Sequence, residues 1–212
     1  MMPASDLLVF AGASLLLVLT PGPNMLYLIS RSICQGRRAG VVSLAGVVAG
    51  FFVHMLAASV GLTALFMAVP LAFELLKWAG AAYLLWMAWQ AVRPGAASAF
   101  STDTHLPSAS TRQLWAMGLF TSILNPKVAI FYLSIFPQFV QPEHGSVLLQ
   151  SLTLGMIQIT TSFSINLLIT LFAAHIARWF AANPHWLRVQ KWAMGSVLAA
   201  LAVRLALEQR KV

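Results

Sequence analysis

Six apolar stretches, each long enough to cross a lipid bilayer, divide this sequence at roughly 5–30, 41–67, 70–92, 114–137, 147–175 and 190–208. A bilayer's hydrocarbon core is about 30 Å thick and takes about 20 apolar residues as helix. Inside it no water bonds the peptide groups, so a spanning segment must satisfy its own backbone. The expected fold class is therefore all-α, a polytopic membrane protein with six transmembrane helices embedded in a lipid bilayer. Only 8% of the residues are charged, against about 25% in a soluble domain. The first stretch lacks a basic lead-in, and Leu19-Thr20-Pro21-Gly22-Pro23 is no small-residue cleavage site. It reads as a retained span rather than a signal peptide.

The net charge is +8, and seven of the thirteen basic residues sit in connections between spans. Arg31, Arg37 and Arg38 lie between the first two, Arg93 and Arg112 between the third and fourth, Arg178 and Arg188 between the last two. By the positive-inside rule these connections are cytoplasmic and the N-terminus is periplasmic. The C-terminal Arg210-Lys211 would then lie outside, against the rule. No basic stretch is interleaved with base-stacking aromatics, so a nucleic-acid partner is not expected. The tryptophans cluster toward span ends, as an interfacial belt. Cys34 stands alone and excludes a disulfide within the chain. Two His ligands plus a carboxylate at metal spacing are absent, so neither a metal nor a metalloenzyme is expected; the transporter plan described next calls for no cofactor and no enzymatic activity.

The second and third spans meet at a turn near Val69-Pro70, and Lys77 opens the third helix. The stretch "RPGAASAFSTDTHLPSASTR" is the one linker. Sliding the chain by about 105 positions sets Pro21 on Pro126, Tyr27 on Tyr132, Leu28 on Leu133 and Gly50 on Gly155. "KWAG" from Lys77 answers "KWAMG" from Lys191 a few residues out of that register. Three-helix repeats occupy 1–92 and 114–212, with a cytoplasmic linker at 93–113. Because each repeat holds an odd number of spans, the two must be inverted in the membrane, a plan typical of secondary transporters.

Two spans interrupt their own ladders at matching places: Thr20-Pro21-Gly22-Pro23-Asn24 in the first and Asn125-Pro126-Lys127 in the fourth. Proline removes a donor and glycine relaxes the backbone. Such breaks persist where the freed groups face protein or a wet cavity, and paired breaks point to a substrate site. A half-helix starting at Pro23 would aim the N–H groups of Asn24 and Met25, with its positive dipole end, at an anionic group. Lys127 adds a formal charge well inside an apolar segment, which makes it a functional candidate.

Gln158, Ser162, Asn166 and Thr170 recur at intervals of four in the fifth span, with Thr161 and Ser164 nearby. The stripe fits either a wall of an aqueous path, suited to a zwitterion, or interhelical glue. Gly46 and Gly50 form a G-x-x-x-G face for close helix packing, within the chain or in a homodimer. His54, one turn on, reads as a buried neutral imidazole before it reads as a proton carrier. Asp6, at the head of the first helix, is the nearest carboxylate to a proton-coupling position, and an interfacial or capping role suits it better.

Together, "TPGPN" with "MLYLISRSICQGRRAG", "KWAGAAYLLWMAWQAVR" and "ILNPKVAIFYLSIFPQFV" resemble, in order, the characteristic stretches of the LysE/RhtB family of amino-acid exporters. The resemblance implies a transporter of the bacterial inner membrane that moves amino acids or their derivatives out of the cytoplasm, driven by the proton gradient as an antiporter. An uninterrupted TPGPN and the lack of a mid-membrane carboxylate are closer to the homoserine/threonine/leucine branch than to the basic-amino-acid branch. A cationic side chain would want a buried carboxylate partner. The rivals are an exporter of another small solute or a cation, and a membrane enzyme or redox carrier. The first lacks clustered acidic or soft ligands, and the second lacks paired cysteines.

Overall fold

Every regular element among the described residues is helical. The computed structural model describes residues 2–20, 22–68, 92–93, 108–183 and isolated positions at 78, 81, 82, 85, 86, 88, 89, 185, 186, 188, 189, 192, 195, 196, 199, 200, 202 and 203. Expectations for Pro21, the Val69-Pro70 turn, Lys77, linker positions 94–107 and Arg210-Lys211 lie outside the described residues.

Helix α1, Ala4–Leu19, has 16 residues. At 1.5 Å per residue that is about 24 Å, short of a bilayer's core. Thr20 turns extended, with φ −68° and ψ 122°. The chain resumes as α2, Pro23–Ala68. Pro23 takes the first helical position, where a missing N–H costs nothing, and the first bond of the new ladder runs from Leu26 N to Gly22 O at 3.0 Å.

Gly36 divides α2 into two arms. Its φ of 83° and ψ of 172° belong to a region that glycine enters without a Cβ clash. The arms fold back antiparallel: Ser43 Oγ donates to Tyr27 Oη at 3.0 Å, and a Cβ on Gly40 would overlap the Ser32 side chain. The connection expected over 31–40 is thus a hinge of one residue. Helix continues through Arg31 to Gln35 and restarts at Arg37.

Helix α3, Thr111–Ile123, starts earlier than 114 because Ser110 closes a capping box with Gln113. Ser110 N donates to Gln113 Oε1 at 2.8 Å and Gln113 N to Ser110 Oγ at 3.4 Å, which satisfies two donors at the helix start. After Leu124 the chain begins again as α4, Pro126–Ile130. A π turn follows at Phe131–Ile135, then a 3-10 turn at Phe136–Phe139. Pro137 explains both. A proline ring clashes with the carbonyl four residues earlier, here Leu133, and the ladder widens so that Phe136 N reaches back to Phe131 O. The segments on either side of Leu124 are bent by 44°. Helix α5 covers Val147–Ala182.

Pro23–Gly61, which folds back at Gly36, and Val147–Ile176 are long and apolar enough to cross a membrane, and the bent pair Thr111–Ile123 with Pro126–Phe139 makes a third when taken as one span. α2 packs on α3 and α5, and α1 packs on α5. Any Cβ on Gly46 or Gly50 would collide with α3, at Trp115 O and the Ser122 side chain respectively. The G-x-x-x-G face is therefore used inside the chain. Phe10 of α1 meets Phe131, Phe136 and Phe139 at ring-centroid distances of 5.6, 5.7 and 5.1 Å, clamping α1 to the second broken segment. Trp78, Trp86, Trp89, Trp115, Trp179, Trp186 and Trp192 are all exposed, as an interfacial belt requires.

The two half-helices start at Pro23 and Pro126. That pairing is two residues out of the register that sets Pro21 against Pro126.

Candidate functional site at the two helix breaks

The two breaks meet. Lys127, second residue of α4, reaches across to the end of α1, where its ammonium donates to Leu17 O at 2.9 Å and Thr20 O at 2.5 Å. In the opposite direction Asn24, at the start of α2, donates through Nδ2 to Ser122 Oγ at 3.4 Å, one turn before the second break. Asn125 caps α4, its Oδ1 accepting from Lys127 N at 3.1 Å. Thr20 Oγ1 turns back to Leu16 O at 2.7 Å.

Physical chemistry accounts for the Lys127 contact. The last carbonyls of a helix lack intrahelical donors and carry the negative end of its dipole. A cation seated there satisfies them, and neither acceptor is a carboxylate. In this conformation the Lys127 charge is held by backbone carbonyls.

Leu17, Val18, Asn24, Met25, Phe51, Lys127, Val128, Ser162 and Asn166 line a cavity of about 20 Å³. That is room for about one water and no amino acid, so the site is closed. Asn24 is 6% exposed, and its Oδ1 has no hydrogen-bond partner. Asn125 Nδ2 is likewise buried and unpartnered. Unsatisfied buried polar atoms are rare enough in native proteins to call for an explanation.

The polar stripe of α5 faces inward. Gln158, Ser162, Asn166 and Thr170 are all buried, whereas Ser164 is exposed. Gln158 accepts from Tyr132 Oη at 2.7 Å and donates to Ser162 Oγ at 2.9 Å. A chain of bonds thus runs from the π turn to the cavity wall. His54 stacks on Tyr132 at 5.7 Å, and its Nε2 lies 3.1 Å from Ser122 O. Donation to that carbonyl requires a proton on Nε2.

Of the residues expected at the site, Asn24, Met25, Lys127, Ser162 and Asn166 line the cavity. Thr20 contributes its carbonyl. Gly22 abuts Lys127, where a Cβ would stand 3.1 Å from Cε and Nζ. Pro23, Asn125 and Pro126 shape the half-helix starts, and Gln158 is one bond removed. Asp6 is not brought to this site. It sits in the first turn of α1, about 16 Å along the axis from Leu17 at 1.5 Å per residue, and accepts from Gln141 Nε2 at 3.3 Å. Three participants escaped the sequence reading: Ser122, Tyr132 as a hydrogen-bond donor, and the backbone of Leu17. Pro21 held the signal for the last, since a proline four residues on cannot donate to Leu17 O.

A second concavity is open and much larger, about 950 Å³. It runs between the first arm of α2 and α3, from Pro23 and Leu124 at the breaks to Arg31 and Gln113. Arg31 Nη1 donates to Gln35 Oε1 at 3.0 Å, and its guanidinium lies 6.0 Å from the Tyr27 ring centroid. Among the described residues no three His, Cys, Asp or Glu side chains gather to hold a metal ion.

The model of the LysE type translocators matches residues 15–209, which include both breaks, the Gly36 hinge and the α5 stripe. The chain belongs to the LysE type translocator family. It is 36% identical to a homoserine/homoserine lactone efflux protein of Salmonella typhimurium, over 91% of this chain and 92% of the relative. It is 29% identical to a leucine efflux protein of Enterobacter sp. (strain 638), over 90% of each. An uncharacterized membrane protein of Vibrio cholerae is 30% identical over 89% of this chain and 90% of that protein. No solved structure matches. The family and the apolar helices together make this a membrane protein.

Proposed function

We propose that this translocator exports amino acids from the bacterial cytoplasm, taking neutral zwitterions of the homoserine, threonine and leucine class, and works as a proton antiporter. The observation that carries the reading is the meeting of the two breaks around one small cavity, into whose largely apolar wall Asn24, Lys127, Ser162 and Asn166 are set. Half-helix ends supply both polarities there: N–H groups of Asn24 and Met25 at the start of α2, and carbonyls at the end of α1. The names of the relatives, homoserine/homoserine lactone and leucine efflux proteins, supply the substrate class.

In this reading the chain forms six spans in the inner membrane, two inverted three-helix halves joined by a cytoplasmic linker, with the N-terminus periplasmic. One half rocks against the other about the breaks and exposes the cavity to each side in turn. The groove beside Arg31 is the cytoplasmic approach, and Gly36 a hinge at its mouth.

The test is efflux of preloaded, labelled homoserine and leucine from vesicles carrying the protein, with and without a proton gradient. Gradient-dependent release of either supports the proposal. Release of neither, under conditions where a known exporter works, would sink it.

A further inference from the structure

We propose that the carbonyl oxygens of Leu17 and Thr20 form a binding site for a primary ammonium group, which Lys127 fills in the closed conformation and the amino group of a zwitterionic substrate takes over during transport. This rests on the amino-acid reading above and assigns the cationic end of the substrate within it.

The acceptors follow from covalent structure. In a continuous helix the donors to Leu17 O and Leu19 O would be the N–H groups of residues 21 and 23, and both are proline. Thr20 O would need Asn24 N–H, which belongs to the next helix. Carbonyls so stripped, buried and at the negative end of α1, call for a cation with N–H donors. Lys127 meets that demand at 2.9 and 2.5 Å. Its primary ammonium carries the same three donors as the amino group of an amino acid.

The other wall of the cavity is suited to the carboxylate. The first turn of α2 leaves the N–H groups of Asn24 and Met25 without intrahelical acceptors, and both residues line the cavity. Asn24 is 6% exposed with Oδ1 unpartnered, a second acceptor for an ammonium in the same space. Among the described residues that line the cavity, Lys127 alone carries a charge. With about 20 Å³ available, no amino acid can enter while Lys127 keeps its place. Displaced, its flexible stem leaves the ammonium beside the incoming carboxylate.

The exchange links occupancy to shape. Lys127 sits on α4 and its acceptors in the last turn of α1 and just past its end, so its two hydrogen bonds tie one broken segment to the other. A substrate that claims the carbonyls breaks that tie.

The test uses the full chain in lipid nanodiscs. Lys127→Ala vacates the carbonyls, and thermal unfolding is followed while methylammonium or tetramethylammonium is added. Methylammonium should raise the melting temperature of the variant saturably by several degrees, while tetramethylammonium, equally charged but without N–H donors, should not. Wild type should respond to neither. Equal responses to both cations, or no response in folded variant, overturn the proposal. Lys127→Ser is the second variant if Lys127→Ala does not fold. In wild-type vesicles 4-hydroxybutyrate, which is homoserine without its amino group, should compete with homoserine efflux at least about tenfold more weakly than homoserine does. Equal competition also overturns it. Absence of any amino-acid efflux would instead count against the proposed function, and the methylammonium result would still decide the cation site.

Discussion

Asn24 and Ser122 lie 98 positions apart in sequence and 3.4 Å apart in space. One follows the first helix break and the other precedes the second, so this single bond measures how closely the two interruptions are brought together. Ser122 also offers its carbonyl to His54, which makes it the junction between the breaks and the second arm of α2.

Replacing Asn24 with Ala should leave insertion intact and lower efflux at least about tenfold, because the amide faces the cavity and its loss leaves a site polar group missing. Ser122→Ala removes only the hydroxyl and should cost about 0.6 kcal/mol of stability, the average for a hydrogen bond between membrane helices. Transport and unfolding of both variants, measured side by side, separate the two roles. Equal effects on transport would mean that Asn24 acts through packing alone.

Gly22→Ala places a Cβ 3.1 Å from Cε and Nζ of Lys127. The neighbour is the mobile end of a side chain, so the expected outcome is normal expression with impaired efflux. Gly46→Val should instead prevent accumulation of folded protein, since the backbone of Trp115 and Leu119 blocks any Cβ. Gly12→Val, with nothing within 4 Å, is the silent control. Yield in the membrane and efflux per molecule check all three.

Tyr132, Gln158 and Ser162 form one bonded chain, so their substitutions should not be additive. Gln158→Leu strands two buried hydroxyls and should cost about 1–3 kcal/mol. Tyr132→Phe should cost about 1 kcal/mol alone and less in the Gln158→Leu background. A double-mutant cycle on unfolding reads the coupling. Additive effects would show that the chain is not a unit.

Met117 lines the open groove, and Cys34 is the one native thiol. Met117→Cys in a Cys34→Ser background should react with a membrane-impermeant thiol reagent from the cytoplasmic side, and homoserine should slow that reaction. Labelling only from the periplasm would reverse the orientation proposed here.

Pro21→Ala combined with Pro23→Ala restores donors to Leu17 O and Leu19 O and should let helix run through the break. Efflux should fall to background with insertion unchanged. Full activity in this variant would reduce the first break to a packing kink.

Sequence alone was enough to place the breaks, because proline's missing N–H and glycine's freedom are local facts that no packing can reverse. The inward stripe of Gln158, Ser162, Asn166 and Thr170 was legible for the same reason: helical periodicity puts positions four apart on one face. Partners are another matter. Only tertiary structure decided that Gly46 and Gly50 meet α3 of the same chain, that Gly36 is a one-residue hinge, and that Asp6 stays at the far end of α1. It also decided where the Lys127 charge rests. A buried cation takes whichever acceptors the fold delivers to it, and here these are two carbonyls more than a hundred positions away. Two prolines in the sequence leave carbonyls bare; the fold brings Lys127 across from the second break to supply the ammonium that covers them.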